Sequence, residues 1–299
     1  MIQTVTGPIH LEELGQTLIH EHIICTGAEF QTAFPSWLPR ETVLDIAVKK
    51  LKYISANWQV RTVVDATPLT LGRDLQLLKE ASERSGVQIV ASTGFYFYDS
   101  FPLLKMPPEK LAEFLVDEIR NGPIRPAMFK CAADAAGITP VVQKALQTAA
   151  LVHKATGIPV YCHTCAQVRS GIAAQQLLEE AGVPPAKMIF GHVSDSNDPD
   201  YALELLQKGC YASVDRIHPH NAAFAAELIR AGYEDRIFLS HDHICCYDTV
   251  MTDPPTPQGE PHGLDVVHSK ILPEMRALGI AENTIEKIIA GNIIGLYRS

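Results

Sequence analysis

Six ionisable side chains stand inside otherwise apolar runs of the sequence. His20 and His22 lie in QTLIHEHIIC, Lys130 in AMFKCAA, His163 in PVYCHT, His192 in MIFGHV and Asp242 in IFLSHDH. Side chains alternate faces along a strand, so His20 and His22, two residues apart, point the same way. A single strand histidine is ordinarily a hydrogen-bonded core or rim residue, but six such groups in comparable places do not fit that reading. Imidazoles with a carboxylate suit Zn, Mn, Fe or Co better than Mg or Ca. A dinuclear site accounts for so many donors, because two close cations need several ligands and a bridging anion. Lys130 is the odd member, since an ammonium repels cations. It is either a salt-bridged neighbour of the site or a carbamate, which is an anion; composition leaves both open.

Other polar residues are read more plainly. His241 and His243 flank Asp242, so alternation sends them to the opposite face. Cys131 and Cys162 adjoin Lys130 and His163 and face outward by the same rule, so neither is a ligand or nucleophile. Cys162-x-x-Cys165 has no second pair at zinc-ribbon spacing. Cys245 and Cys246 are packing residues. Seven cysteines, an odd number in a chain of this length, read as reduced thiols. His218 and His220 lie just past a strand, in a loop.

These residues need elements to hold them. Short β-branched runs at 16–25, 62–68, 88–96, 127–133, 159–164, 188–193, 211–217 and 237–243 alternate with helical patterns. Helices are expected at 41–58, after Thr139-Pro140 to near Gly157, after Asp198-Pro199 to near Gly209, and over 169–181, 219–231, 264–278 and 282–297, with Leu75, Leu77, Leu78 and Ala81 marking another. Strand then helix, eight times, predicts a parallel sheet. In one chain of this length it predicts a closed (β/α)8 TIM barrel over 1–299 as one domain, with the ionisable residues at the C-terminal ends of the strands. An open doubly wound sheet is the alternative, but it would carry a Gly-rich turn after its first strand, where His-Glu-His stands here.

Composition agrees with a folded enzyme. The 299 residues are 46% hydrophobic and 20% charged, with a formal charge of -9. That balance argues against a nucleic-acid partner, which needs a basic face. No apolar run approaches a membrane span, and no leader is visible at MIQTVTGPIH, so a cytoplasmic protein is expected.

The ordered segments GPIHLEELGQTLIHEH, DATPLTLGRD, ASTGFY, FKCAA, CHT, FGHVSDSNDPDYALELLQKG, SVDRI and LSHD resemble the phosphotriesterase family of the amidohydrolase superfamily, from residue 7 to about 245. The resemblance implies a dinuclear centre in which His20, His22 and Asp242 hold one metal and His163 and His192 the other. A carboxylated Lys130 and a solvent hydroxide would bridge them. Arg216 stands where organophosphate-degrading members tend to carry histidine, and the sequence resembles the lactonase members in having arginine there. Tyr96 matches a tyrosine beside the metal pair in those lactonases, and SHDHICCYDTV is also lactonase-like. The Asn-Pro usual near the family's C-terminus stands here as Asn292-Ile293. A homodimer is implied as well.

The expected reaction is opening of N-acyl-homoserine or other γ- and δ-lactones, with promiscuous phosphotriesterase activity. The bridging hydroxide attacks, Asp242 takes its proton, Tyr96 orients the nucleophile or donates to the leaving oxygen, and Arg216 anchors the ester or product carboxylate. Asp195 supports Arg216 or a metal-bound ring, or is a helix-entry loop residue; Asp215 pairs with a neighbour and is not catalytic. Loop 97–108 is apolar and aromatic, suiting an acyl chain or a rim or dimer contact. Loop 244–263, with Pro254, Pro255, Pro257 and Pro261, is a stiffened lid. The competing readings are a dedicated organophosphate or sugar-lactone-phosphate hydrolase and a catalytically silent metal-binding protein. A phosphorylated substrate wants clustered Arg and Lys. Loop 97–108 offers only Lys105 and loop 244–263 none.

Overall fold

In the computed structural model, residues 1–34, 36, 38–247 and 263–298 are described. Most of the proposed lid segment 244–263 therefore lies outside the described residues. A small antiparallel hairpin, β1 (Ile2–Thr4) with β2 (Gly7–Ile9), opens the chain. Val5 N–H donates to Ile89 O at 2.9 Å and ties this hairpin to the main sheet.

The sheet holds β3 (Gln16–Cys25), β4 (Val60–Asp65), β5 (Gln88–Gly94), β6 (Met128–Ala133), β7 (Val160–Thr164), β8 (Met188–Phe190), β9 (Tyr211–Val214), β10 (Ile237–Leu239) and β11 (His243–Tyr247). Every pairing in it is parallel. The two last segments are halves of one stave. β10 pairs with β9, and after a break at 240–242, β11 pairs with β3. Asp242 N–H donates to His20 O, and His20 N–H to Ser240 Oγ, each at 2.9 Å, stitching the break to the first stave. Eight staves thus close into the (β/α)8 TIM barrel that the alternation predicted.

Helices form where their apolar faces and caps dictate. Arg40–Trp58 buries Val43, Leu44, Ala47, Leu51 and Ile54, the stripe at helical spacing. Pro140–Thr156 starts beneath Thr139, whose hydroxyl accepts from Val142 N–H, and stops at Gly157 with φ +76°. Pro199–Gln207 is capped by Asp198 in the same manner. The 97–108 segment is not all loop: Phe101–Lys105 is a short helix that buries Leu103, followed directly by the helix Pro108–Asn121.

Ile19, Val64, Val90, Met128, Tyr161, Ile189, Tyr211 and Phe238, one from each stave, form one buried cluster in the barrel. Two residues on, with the same strand parity, stand Lys130 after Met128 and His163 after Tyr161. Outside the ring, Cys131 and Cys162 pack under the helices, as do Cys245 and Cys246, and all seven cysteines are free. Asn292 donates to Glu234 O and Ile237 O and anchors the last helix, Asn292–Arg298, beneath β10.

The expected strands run too far at their C-terminal ends. β8 stops at Phe190 rather than 193, β9 at Val214 rather than 217, and β10 at Leu239 rather than 243. Just past each end a non-glycine residue is left-handed: His192 at φ +64°, Arg216 at +59° and Asp242 at +54°. Such backbone leaves the ladder and is uncommon for non-glycine residues; it clusters at functional sites.

Candidate metal centre

All six of these side chains converge at the C-terminal mouth of the barrel. His20 Nε2 lies 3.1 Å and His22 Nε2 3.2 Å from Asp242 Oδ1, while His192 Nε2 lies 3.8 Å from Asp242 Oδ2. Lys130 Nζ is 2.7 Å from His20 Nε2 and sits 4.2 Å from the centre of the Tyr161 ring. The His163 and His192 rings are 4.4 Å apart between centres. Donor atoms of His20, His192 and Asp242 all lie within 4.8 Å of one another.

The second layer is built from groups whose importance is not visible in the sequence. Asp215, assigned above to simple pairing, holds two of the imidazoles at once. Its Oδ2 lies 2.7 Å from His20 Nδ1 and accepts from the Tyr161 hydroxyl; its Oδ1 accepts from His192 N–H and lies 2.7 Å from His192 Nδ1. A carboxylate on Nδ1 keeps the proton there and turns the Nε2 lone pair inward. Thr67 Oγ1 does the same for His22 Nδ1 at 2.8 Å. The only sequence clue to Asp215 is its parity with Ser213 and Tyr211 on the inward face.

Glu21, between the two strand-one histidines, faces the other way and is fully buried. Its Oε1 accepts from Ser240 Oγ, His241 N–H and His241 Nδ1, and its Oε2 from His243 N–H. These bonds secure the break in the last stave from which Asp242 projects. His241 also accepts from Val267 N–H through Nε2, and His243 Nε2 meets Lys50 Nζ at 2.8 Å, so both point outward as alternation requires.

Arg216 spans the rim. Its Nε donates to Asp242 Oδ2 at 3.2 Å and its Nη1 to Asp195 Oδ2 at 2.5 Å, and 40% of its side chain remains exposed. Asp195 therefore supports Arg216, one of the two functional readings for it, and also meets His218 Nε2 at 3.1 Å. The rings of His218 and His220 stack, and His220 Nε2 donates to Ser194 O. Tyr96 lies on the opposite side, its hydroxyl 3.2 Å from His163 Nδ1.

Burial sets the charge state of the cluster. It pushes His20 and His163 down to about 3, so both imidazoles are neutral and offer lone pairs. It also pulls the Lys130 amine down to about 8. Burial works against ionisation of Asp242, yet the histidines in contact with it, His22 at 3.2 Å among them, hold its carboxyl well below the usual range.

The match to known proteins is decisive at this point. The model of the phosphotriesterase family covers residues 1–294. The chain belongs to the phosphotriesterase family. Among its relatives, the phosphotriesterase homology protein of Mycobacterium tuberculosis is 30% identical over 97% of this chain and 95% of that protein. The aryldialkylphosphatase of Saccharolobus solfataricus is 30% identical over 95% of each. The N-acetyltaurine hydrolase of Xenopus tropicalis is 27% identical over 97% of this chain and 96% of its own length. The phosphotriesterase family is one of dinuclear metal enzymes, and the chain is a metal-dependent hydrolase of ester or amide bonds.

The residues present fit a metal pair. Nε2 of His192 is buried without a hydrogen-bond partner among the described residues, and Nε2 of His163 is buried and meets only Asp134 Oδ2, at 3.5 Å. An orphaned buried imidazole nitrogen is costly, and a cation removes that cost. Imidazoles, a carboxylate and a depressed amine are the donor chemistry of a transition-metal site; His22, raised against burial to about 10 by Cys25 and Asp242, would give up its proton to a cation.

Proposed function

We propose that this hydrolase opens lactones, N-acyl-homoserine or other γ- and δ-lactones, and hydrolyses phosphotriesters as a side activity. In this reading His20, His22 and Asp242 hold one divalent ion and His163 and His192 the other. A carboxylated Lys130 would help hold both, with zinc as the resident metal or manganese, cobalt or iron in its place. The depressed Lys130 amine supports the carbamate, which forms from the free base. The protein works as one barrel domain in a cytoplasmic homodimer.

Bound there, the two ions would acidify a water and polarise the substrate carbonyl. The chain supplies the rest. Asp242 accepts the proton of the attacking water and returns it to the ring oxygen as the ester C–O bond breaks. Tyr96, beside His163, steadies that leaving oxygen with a hydrogen bond and keeps its own proton. Arg216 anchors the carboxylate of the opened product, for which a planar guanidinium is suited. Asp195 holds Arg216 in place from behind.

The observation that carries lactone over phosphotriester is Arg216, a guanidinium at the open rim against Asp242. The relative named aryldialkylphosphatase keeps the phosphotriester reading as the alternative. One screen separates them: purified protein loaded with Zn or Mn is given homoserine lactones, aliphatic lactones, a sugar lactone phosphate and paraoxon. Lactones are expected to turn over fastest. A preference for paraoxon by several orders of magnitude overturns the assignment.

A further inference from the structure

The mouth of the barrel holds one more acid beside the site. Counting by twos from Lys130 through Ala132 leads to Asp134, just past the end of β6. Its Oδ2 lies 3.5 Å from His163 Nε2, and its Oδ1 accepts from Ala135 N–H at 2.7 Å. The side chain is 34% exposed, so it is open to a molecule entering the mouth.

Nothing in the proposed reaction uses this carboxylate. A ring nitrogen that gives its lone pair to a cation carries no proton, so His163 Nε2 has none to offer once an ion is bound. In the loaded enzyme Oδ2 is then an acceptor without a donor among the described residues. Such an oxygen takes a charge-assisted hydrogen bond from water, or from an N–H that a substrate brings to it.

The surroundings narrow the group. Arg216 follows β9, three staves from β6, while Tyr96 follows β5, the stave beside β6. The mouth therefore offers a guanidinium on one wall for an oxygen and a carboxylate on another for a proton donor. With the scissile carbonyl at the metal pair, the carbon next to that carbonyl is the place from which a donor reaches Asp134. A carboxylate or phosphate there would be repelled by Asp134. Burial and then the charge of Asp134 push the Tyr98 phenol up, and Tyr98 also lines a cavity of about 540 Å³ with Leu69, Leu71 and Phe101. An apolar chain carried on the donor has room in that cavity, as in an acylated amine; a bare ammonium makes no use of it.

We infer that Asp134 is a specificity-determining residue: its carboxylate accepts the N–H of an amide carried on the carbon next to the scissile carbonyl, so that amide-bearing lactones are preferred to plain ones. This rests on the lactone reading above. The test uses two lactones of one shape, N-hexanoyl-homoserine lactone and its carba analogue, in which CH2 replaces the N–H. Metal-loaded wild type should show kcat/KM about tenfold higher for the amide, mainly through KM, the worth of one hydrogen bond to a charged, partly exposed group. Asp134→Ala should bring that ratio to about one, and Asp134→Asn, which keeps a neutral acceptor, should fall between. Binding of the opened product, N-hexanoyl-homoserine, followed by calorimetry, should weaken about tenfold in Asp134→Ala, with bound metal at the wild-type amount in the same samples. A ratio that Asp134→Ala leaves unchanged overturns the inference, and so does loss of metal from both variants, which would make Asp134 a ligand. Equal turnover of the two lactones by wild type overturns it and leaves the lactone reading standing. Turnover of neither overturns both.

Discussion

His241 Nδ1 lies 2.6 Å from Glu21 Oε1, a buried contact joining the residue before Asp242 to the residue before His22. One carboxylate on the outer face thereby fixes two inward-facing donors on different staves. Glu21→Gln turns an amide N–H₂ toward donors that need an acceptor. Metal affinity should fall about 10-fold to 100-fold, as for other groups that orient ligands. Metal retained after dialysis, read beside circular dichroism, checks this; full retention at native fold would show that the break holds without Glu21.

His20→Ala and Asp242→Ala each remove a donor from the point where three imidazoles and a carboxylate meet. Hydrolysis should drop by about three orders of magnitude or more, since metal activation supplies several kcal/mol of barrier lowering. Steady-state assays with each variant, with folding confirmed by thermal melts, test it. Full activity in both would end the metal mechanism.

Lys130 Nζ is 2.7 Å from His20 Nε2 and buried. If the lysine serves as a carbamate, metal-stripped protein should regain activity with Zn or Mn only when bicarbonate is supplied. Lys130→Ala should not regain it under either condition. Equal recovery in carbon-dioxide-free buffer would leave Lys130 as a plain amine beside the site.

Arg216→His removes the guanidinium that meets Asp242 at the rim. Lactone kcat/KM should fall about 10-fold to 100-fold, the worth of one or two charge-assisted hydrogen bonds. Paraoxon turnover should hold or rise. Parallel assays on the two substrates give the ratio, and an unchanged ratio removes Arg216 from the choice of substrate.

Burial holds His268 down to about 4, against 6.5 for a free imidazole. Between those values the unfolded chain takes up a proton that the folded chain does not. Stability should therefore fall as pH drops through that window, by about 3 kcal/mol in all, and level off below it. Denaturant melts of the wild type and His268→Phe across the window should differ by that slope.

The sequence by itself determined the eight-fold alternation and the inward parity of His20, His22, Lys130 and His163. Both follow from local pattern: strands alternate with a period of two, and apolar stripes recur at helical spacing. It also placed His241, His243, Cys131 and Cys162 on the outer face correctly. Strand ends were another matter. The apolar pattern carries the strands through His192, Arg216 and Asp242, whereas left-handed turns at these residues are imposed by tertiary bonds such as Asp242 N–H to His20 O, which local pattern does not show. Asp215 and Glu21 read as ordinary acids in the chain. Only closure of the barrel brought Asp215 onto His20, 195 residues away, and Glu21 onto Ser240 and His241, about as distant. Such contacts depend on how the staves close round the mouth, and that is decided when the eighth stave pairs with the first.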